Sequence, residues 1–129
     1  QAIIGSIVCR THRYSWEIFI DNAKHRVKIN PFDWARKLID NGVGEIMVTS
    51  IDNDGLMNGY NISLLKQFDS IGGVPYIFCG GVGKNDHVVD LFNSSNCSAA
   101  AIGSALHYNK ISILKLKAEL SKHNFKVRI

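Results

Sequence analysis

Asp52-Asn53-Asp54-Gly55 places two carboxylates one residue apart, directly after the apolar run Glu45-Ile-Met-Val-Thr-Ser-Ile51. An aspartate held at a strand's C-terminal mouth and followed by a flexible glycine can serve as a general acid or base, and Asp54 is so placed. In α/β proteins that end of the strand is where chemistry is done. The same aspartates would also serve structurally, capping the next turn or bonding their own backbone. A calcium loop is a further reading of Asp-Asn-Asp, but the later Glu that such a loop needs is missing. Two more glycine-bearing stretches follow, Gly80-Gly81-Val82-Gly83 and Gly103-Ser104. Glycine there lets backbone N–H groups approach an anion closely, and both stretches open onto helical segments whose N-terminal dipole favours negative charge. Gly55, Gly80, Gly81, Gly103 and Ser104 are therefore candidate phosphate-binding positions; tight turns and caps are the alternative use of the glycines.

Other chemistries find less support. His12, His25, His87, His107 and His123 show neither ligand spacing nor a neighbouring nucleophile, and each reads as a surface histidine. No Ser-containing elbow, Walker loop or dinucleotide fingerprint is present. Cys9, Cys79 and Cys97 have no metal-like spacing and cannot all pair, so they read as buried free thiols in a reducing cytoplasm. No metal and no cofactor is expected. The net charge of +4 comes from fifteen Lys and Arg against eleven Asp and Glu, scattered along amphipathic segments without aromatic platforms. That pattern fits solvated faces and an anionic small molecule better than nucleic acid. No apolar run reaches the roughly 18–20 residues of a membrane span, and no charged-then-apolar leader opens the chain. It begins with Gln1 instead of Met, which suggests a piece of something longer.

The elements that must position these residues follow from hydrophobic periodicity and turn chemistry. Residues 1–8 read as a buried strand ending at a polar Cys-Arg-Thr-His-Arg loop. Residues 14–20 and 25–29 are β-rich runs around the turn Asp21-Asn-Ala-Lys24, hence a hairpin inserted after the first strand. Asn30 as N-cap, Pro31 at the first position and Gly42 after the end mark a helix. The second strand carries Glu45, Met47 and Thr49 on one side and Ile46, Val48 and Ser50 on the other; its nearly unbroken apolarity suggests cover on both faces. Further helices are expected over 61–71, 85–93 and 111–123, and strands over 74–79 and 98–104.

Successive βα units make a parallel sheet with crossover helices in one domain spanning 1–129. An open doubly wound sheet and half of a (βα)8 TIM barrel compete. Polar Glu45 and Thr49 on the inward side suit a barrel lumen better than a covered sheet interior. In barrels, phosphate commonly binds at the loops after strands seven and eight, where the Gly80-Gly81 and Gly103-Ser104 loops would fall.

Taken together, Gly44-Glu-Ile-Met-Val-Thr-Ser-Ile-Asp-Asn-Asp-Gly55, Gly59-Tyr60, Cys79-Gly-Gly-Val-Gly-Lys84 and the closing helix resemble the cyclase subunit of imidazole glycerol phosphate synthase. The resemblance covers essentially the whole chain and matches the family's second half, strands five to eight, with the hairpin after strand five. It implies an ammonia-dependent lyase and cyclase of histidine biosynthesis acting on a phosphoribulosyl aminoimidazole, with ammonia supplied by a glutaminase subunit. Carried over by position, Thr49 and Asp54 match active-site residues, and Gly55, Gly81, Gly103 and Ser104 the C-terminal-half phosphate site. Glu45 matches one member of the charged ring at the opposite face, through which ammonia passes.

The sequence departs from that pattern where the family's strand five ends in a catalytic aspartate, for Val8 stands there and cannot transfer protons. Cys79 replaces a usual serine. The segment 94–98 is one residue longer than typical, as in cyclase-like paralogues of amidotransferase-linked sugar pathways. The family's other catalytic aspartate and its first phosphate site lie on strands one to four, outside this sequence. The expectation is a cyclase-like half-barrel that is incomplete as a catalyst alone. Its alternative is a non-catalytic phosphate-binding module that assembles with a second copy or with a complementary half-barrel, since a half-barrel leaves strand edges and an apolar inner face uncovered.

Overall fold

The computed structural model describes residues 2–128; Gln1, where the first strand was expected to begin, lies outside them. Six strands form one sheet in the order β3-β2-β1-β4-β5-β6. The strands β1 (Ile4–His12), β4 (Glu45–Ser50), β5 (Tyr76–Cys79) and β6 (Ala99–Ala101) run parallel, while β2 (Ser15–Ile20) and β3 (His25–Val27) add an antiparallel hairpin at the β1 edge. Crossovers are α1 (Pro31–Asp40), α2 (Ile62–Asp69) and α3 (Asn85–Ser94); α4 (Ser104–His107) and α5 (Ile113–Lys122) follow β6.

The helix signals act locally as expected. Asn30 Oδ1 accepts from the N–H groups of Phe32 at 2.9 Å and Asp33 at 3.2 Å, and Pro31 occupies the first helical position without losing a needed donor. Asn61 caps α2 in the same way through Leu64 N–H at 3.0 Å.

Alternation along the strands sorts the sheet into two faces. Gly5, Ile7 and Cys9 of β1, Ile46, Val48 and Ser50 of β4 and Tyr76 and Phe78 of β5 are buried, the apolar ones in one core with Ala35, Leu64, Phe68, Val88, Leu91, Leu116 and Leu120 from the helices. Gly5 packs under α1, where a Cβ would lie 2.9 Å from Leu38 Cδ1 and would be accommodated by a shift of that side chain. The opposite face, carrying Ser6, Val8, Glu45, Met47, Thr49, Ile77 and Cys79, is half-buried or exposed. The expected cover on both faces of β4 is thus corrected, with helices on one face only. A parallel sheet with crossover helices on one side, and polar residues on the other, is the arrangement of half a TIM barrel.

Two further expectations change. The Cys-Arg-Thr-His stretch is strand and not loop, because the hairpin pairs back onto it (Cys9 with Ile18, Arg10 with Glu17, Thr11 with Trp16, His12 with Ser15) and satisfies its backbone groups. The last strand stops at Ala101, and Ser104 opens the short helix α4. The hairpin is fastened to the helices by an aromatic chain in which Trp16 meets Phe32 at 5.7 Å, Phe32 meets Phe68 at 5.1 Å and Phe68 meets Tyr76 at 5.9 Å.

Candidate functional site

Register aligns one residue from each parallel strand in a row across the uncovered face: Val8 beside Thr49, Thr49 beside Cys79, and Cys79 beside Ala101. Of these, Thr49 and Cys79 are polar and stand side by side in the parallel register. Burial pushes the Cys79 thiol up, the neighbouring Thr49 hydroxyl opposes the rise, and the nearby Asp54 carboxylate adds to it. Cys79 is thus held as a neutral thiol. Glu45 lies on the same face at the other end of β4, four residues from Thr49 and so about 13 Å away at strand rise.

The two carboxylates after β4 part company. Asp52 Oδ2 accepts from Thr11 N–H at 2.6 Å and Oδ1 lies 3.8 Å from Arg10 Nε, so this side chain ties the loop to β1. Asp54 is exposed and turned to the site, lining two adjoining cavities. One, of about 350 Å³, brings together Asp54, Gly55, Gly80, Gly81, Gly103 and Ser104 with Cys79, Val82 and Ala101. The other, of about 470 Å³, joins Asp54 and Thr49 to Val8, Ile51 and the hairpin segment 19–23. A larger, mostly apolar cavity of about 690 Å³ lies between β6, α5 and residues 125–128, away from these groups.

Packing between loops explains two of the glycines. Gly81 has φ +110°, and a Cβ on it would stand 2.0 Å from the Gly59 carbonyl oxygen; Gly80, at φ +100°, would meet the Ser50 carbonyl oxygen at 2.8 Å. The loop after β4 is interlocked with the loop after β5 by Gly59 N–H donating to Gly81 O at 2.7 Å. Asn53 braces the junction, accepting from Ser50 Oγ at 2.8 Å and donating from Nδ2 to Gly59 O at 2.9 Å. By contrast a Cβ at Gly103 meets nothing within 4 Å.

His87, expected at the surface, is instead half-buried, and its Nδ1 accepts from Gly83 N–H at 3.1 Å. Its signal in the sequence was position: the third residue of a helix can reach back to the backbone before it, as in a capping box. The cysteines are free thiols as read, with Cys9 and Cys97 buried and Cys79 half-buried. Among the described residues no group of three or more His, Cys, Asp or Glu side chains is disposed to hold a metal, and no helix is long and apolar enough to cross a membrane.

A one-sided parallel βα sheet with its polar and glycine-rich residues gathered at the C-terminal strand ends defines the class, that of a TIM-barrel half with its candidate site in the usual place. A sequence profile described as histidine biosynthesis protein matches residues 1–112, and the chain belongs to that family. Curated relatives are subunits HisF of imidazole glycerol phosphate synthase. That of Methanococcus vannielii is 38% identical over 117 residues, covering 91% of this chain and 43% of its own length. That of Flavobacterium johnsoniae is 34% identical over 129 residues, covering 100% and 51% respectively. That of Prochlorococcus marinus is 31% identical over 131 residues, covering 99% and 51%. The chain spans about half the length of the curated relatives it matches.

Proposed function

We propose that this chain supplies the second half of a cyclase-like barrel of the imidazole glycerol phosphate synthase type, and that its glycine-lined cavity takes the phosphate of a phosphorylated small-molecule substrate. The carrying observation is that Gly55, Gly80, Gly81, Gly103 and Ser104 line one cavity with Asp54 at its rim. Gly103 supports the reading further, because among the described residues no neighbour within 4 Å requires a glycine there. Asp54 and Thr49 are the acid–base and positioning groups beside the reacting end of the substrate, and Glu45 belongs to the opposite face, where ammonia from a glutaminase subunit would pass. No cofactor or metal takes part. The setting is cytoplasmic, and nucleic acid and membrane are not partners.

The half-barrel is one domain that works against a complementary half or a second copy, and alone it does not run the complete reaction. Val8 is the reason: it stands in the row with Thr49, where proton transfer would need a carboxylate. That same row favours a second reading, a non-catalytic phosphate-binding module. Calorimetric titration with inorganic phosphate tests the site; absence of binding would remove it. Ammonia-dependent turnover of the phosphoribulosyl substrate by this chain alone would overturn the claim of incompleteness. Once a first half is supplied, Asp54→Asn separates the two readings, abolishing turnover in an enzyme and leaving phosphate affinity intact in a binder.

A further inference from the structure

His87 touches neither cavity at the strand ends, yet it meets both loops that shape the glycine-lined one. Lys84, the N-cap residue of α3, makes no side-chain cap bond. His87, two residues after Asn85 in the first turn, reaches back instead, and its Nδ1 accepts the Gly83 N–H at 3.1 Å. With Nδ1 accepting, a neutral ring carries its proton on Nε2. The Nε2 and Cδ2 edge faces Gly59, 3.8 Å from where a Cβ of that residue would be. Gly59 is itself bonded to Gly81, and Gly83 is pressed so close to Met57 that a Cβ would stand 2.2 Å from the Met57 carbonyl oxygen. One imidazole therefore sits at the crossing of the loop after β4 with the loop after β5.

We propose that His87 is a positioning residue that sets the separation of these two loops, and with it the fit of the Gly80-Gly81 backbone to a bound oxyanion. The role rests on the reading of the cavity as a phosphate site. It acts through one acceptor atom at one place, so side chains that differ in where they present an acceptor must differ in effect. Asn presents Oδ1 on Cγ, where Nδ1 stands. Gln presents its oxygen one bond further out, near Nε2.

The test uses the full chain with sulfate as the probe, whose charge is constant over the working pH range, and measures amide exchange at Gly83 by NMR alongside affinity. His87→Ala and His87→Gln should each weaken sulfate binding roughly 3- to 10-fold, the range of a single hydrogen bond, and speed Gly83 exchange by a similar factor. His87→Asn should retain both within about 2-fold. Equal behaviour of the Asn and Gln variants, or a Gly83 amide that exchanges at the parent rate in both His87→Ala and His87→Gln, overturns the proposal. A parent chain that binds no sulfate overturns the phosphate reading instead, and Gly83 exchange in the Asn and Gln variants then decides by itself whether His87 holds the loop.

Discussion

Gly59 donates its N–H to the Gly81 carbonyl at 2.7 Å, while its own carbonyl oxygen occupies the place where any side chain on Gly81 would begin, 2.0 Å from a Cβ. The two loops at the candidate site are therefore one interlocked unit. Gly81→Ala must push them apart and also hold a left-handed backbone. A loss of about 1–3 kcal/mol in unfolding free energy is expected, together with loss of anion binding. Denaturant unfolding followed by sulfate titration checks both, and an alanine variant of parent stability would mean that the loops do not interlock as described.

The division of labour between Asp52 and Asp54 predicts opposite responses. Asp52→Ala frees Thr11 N–H and Arg10, costing about 1 kcal/mol of stability with little effect on anion binding. Asp54→Asn should leave stability within about 0.5 kcal/mol, since among the described residues its carboxylate makes no hydrogen bond or ion pair. It should leave anion affinity unchanged or slightly tighter, because a like charge is removed from the rim. Thermal melts of the two variants side by side decide the matter; a larger loss of stability for Asp54→Asn than for Asp52→Ala contradicts it.

Burial pushes the Cys9 thiol up from the ordinary 9.0 to about 12. The folded state keeps a proton that the unfolded chain has given up, so this contribution is intact below about pH 9 and is lost as pH rises from there toward 12. Across that window each such group removes about 1.4 kcal/mol of stability per pH unit. Urea unfolding at stepped alkaline pH should show the decline, and it should be shallower by about one proton's worth in Cys9→Ala. The native thiol should also resist alkylation at pH 8 until the chain unfolds.

Phe68, buried at 1% exposure, links α2 both to Phe32 and to Tyr76 and so to the hairpin and the sheet. Phe68→Ala should lower stability by about 3–5 kcal/mol, whereas Phe68→Leu, which fills most of the space, should cost much less. Equilibrium denaturation of the pair measures the difference. Near-equal losses would show that the space collapses around the smaller side chain.

Much of the architecture was readable because it is written in local chemistry. Asn30, Pro31 and Gly42 bracket a helix by rules that need no neighbours, and period-two alternation in β4 put Thr49 and Glu45 on one face before any partner strand was known. Glycines after three strands, with Asp54 among them, carried the candidate site as far as a shared end of the sheet. Tertiary structure decided what depends on residues far apart in the chain. The hairpin turned the Cys9 to His12 stretch from loop to strand by giving its backbone a partner. Gly81 is glycine because Gly59 crosses it, Asp52 ties its loop to β1 because Thr11 offers it a donor, and His87 moved from the surface to a loop crossing because Gly83 offered it a donor. Side-chain type and spacing state what a residue can do; only the approach of a second segment determines which of those capacities is used.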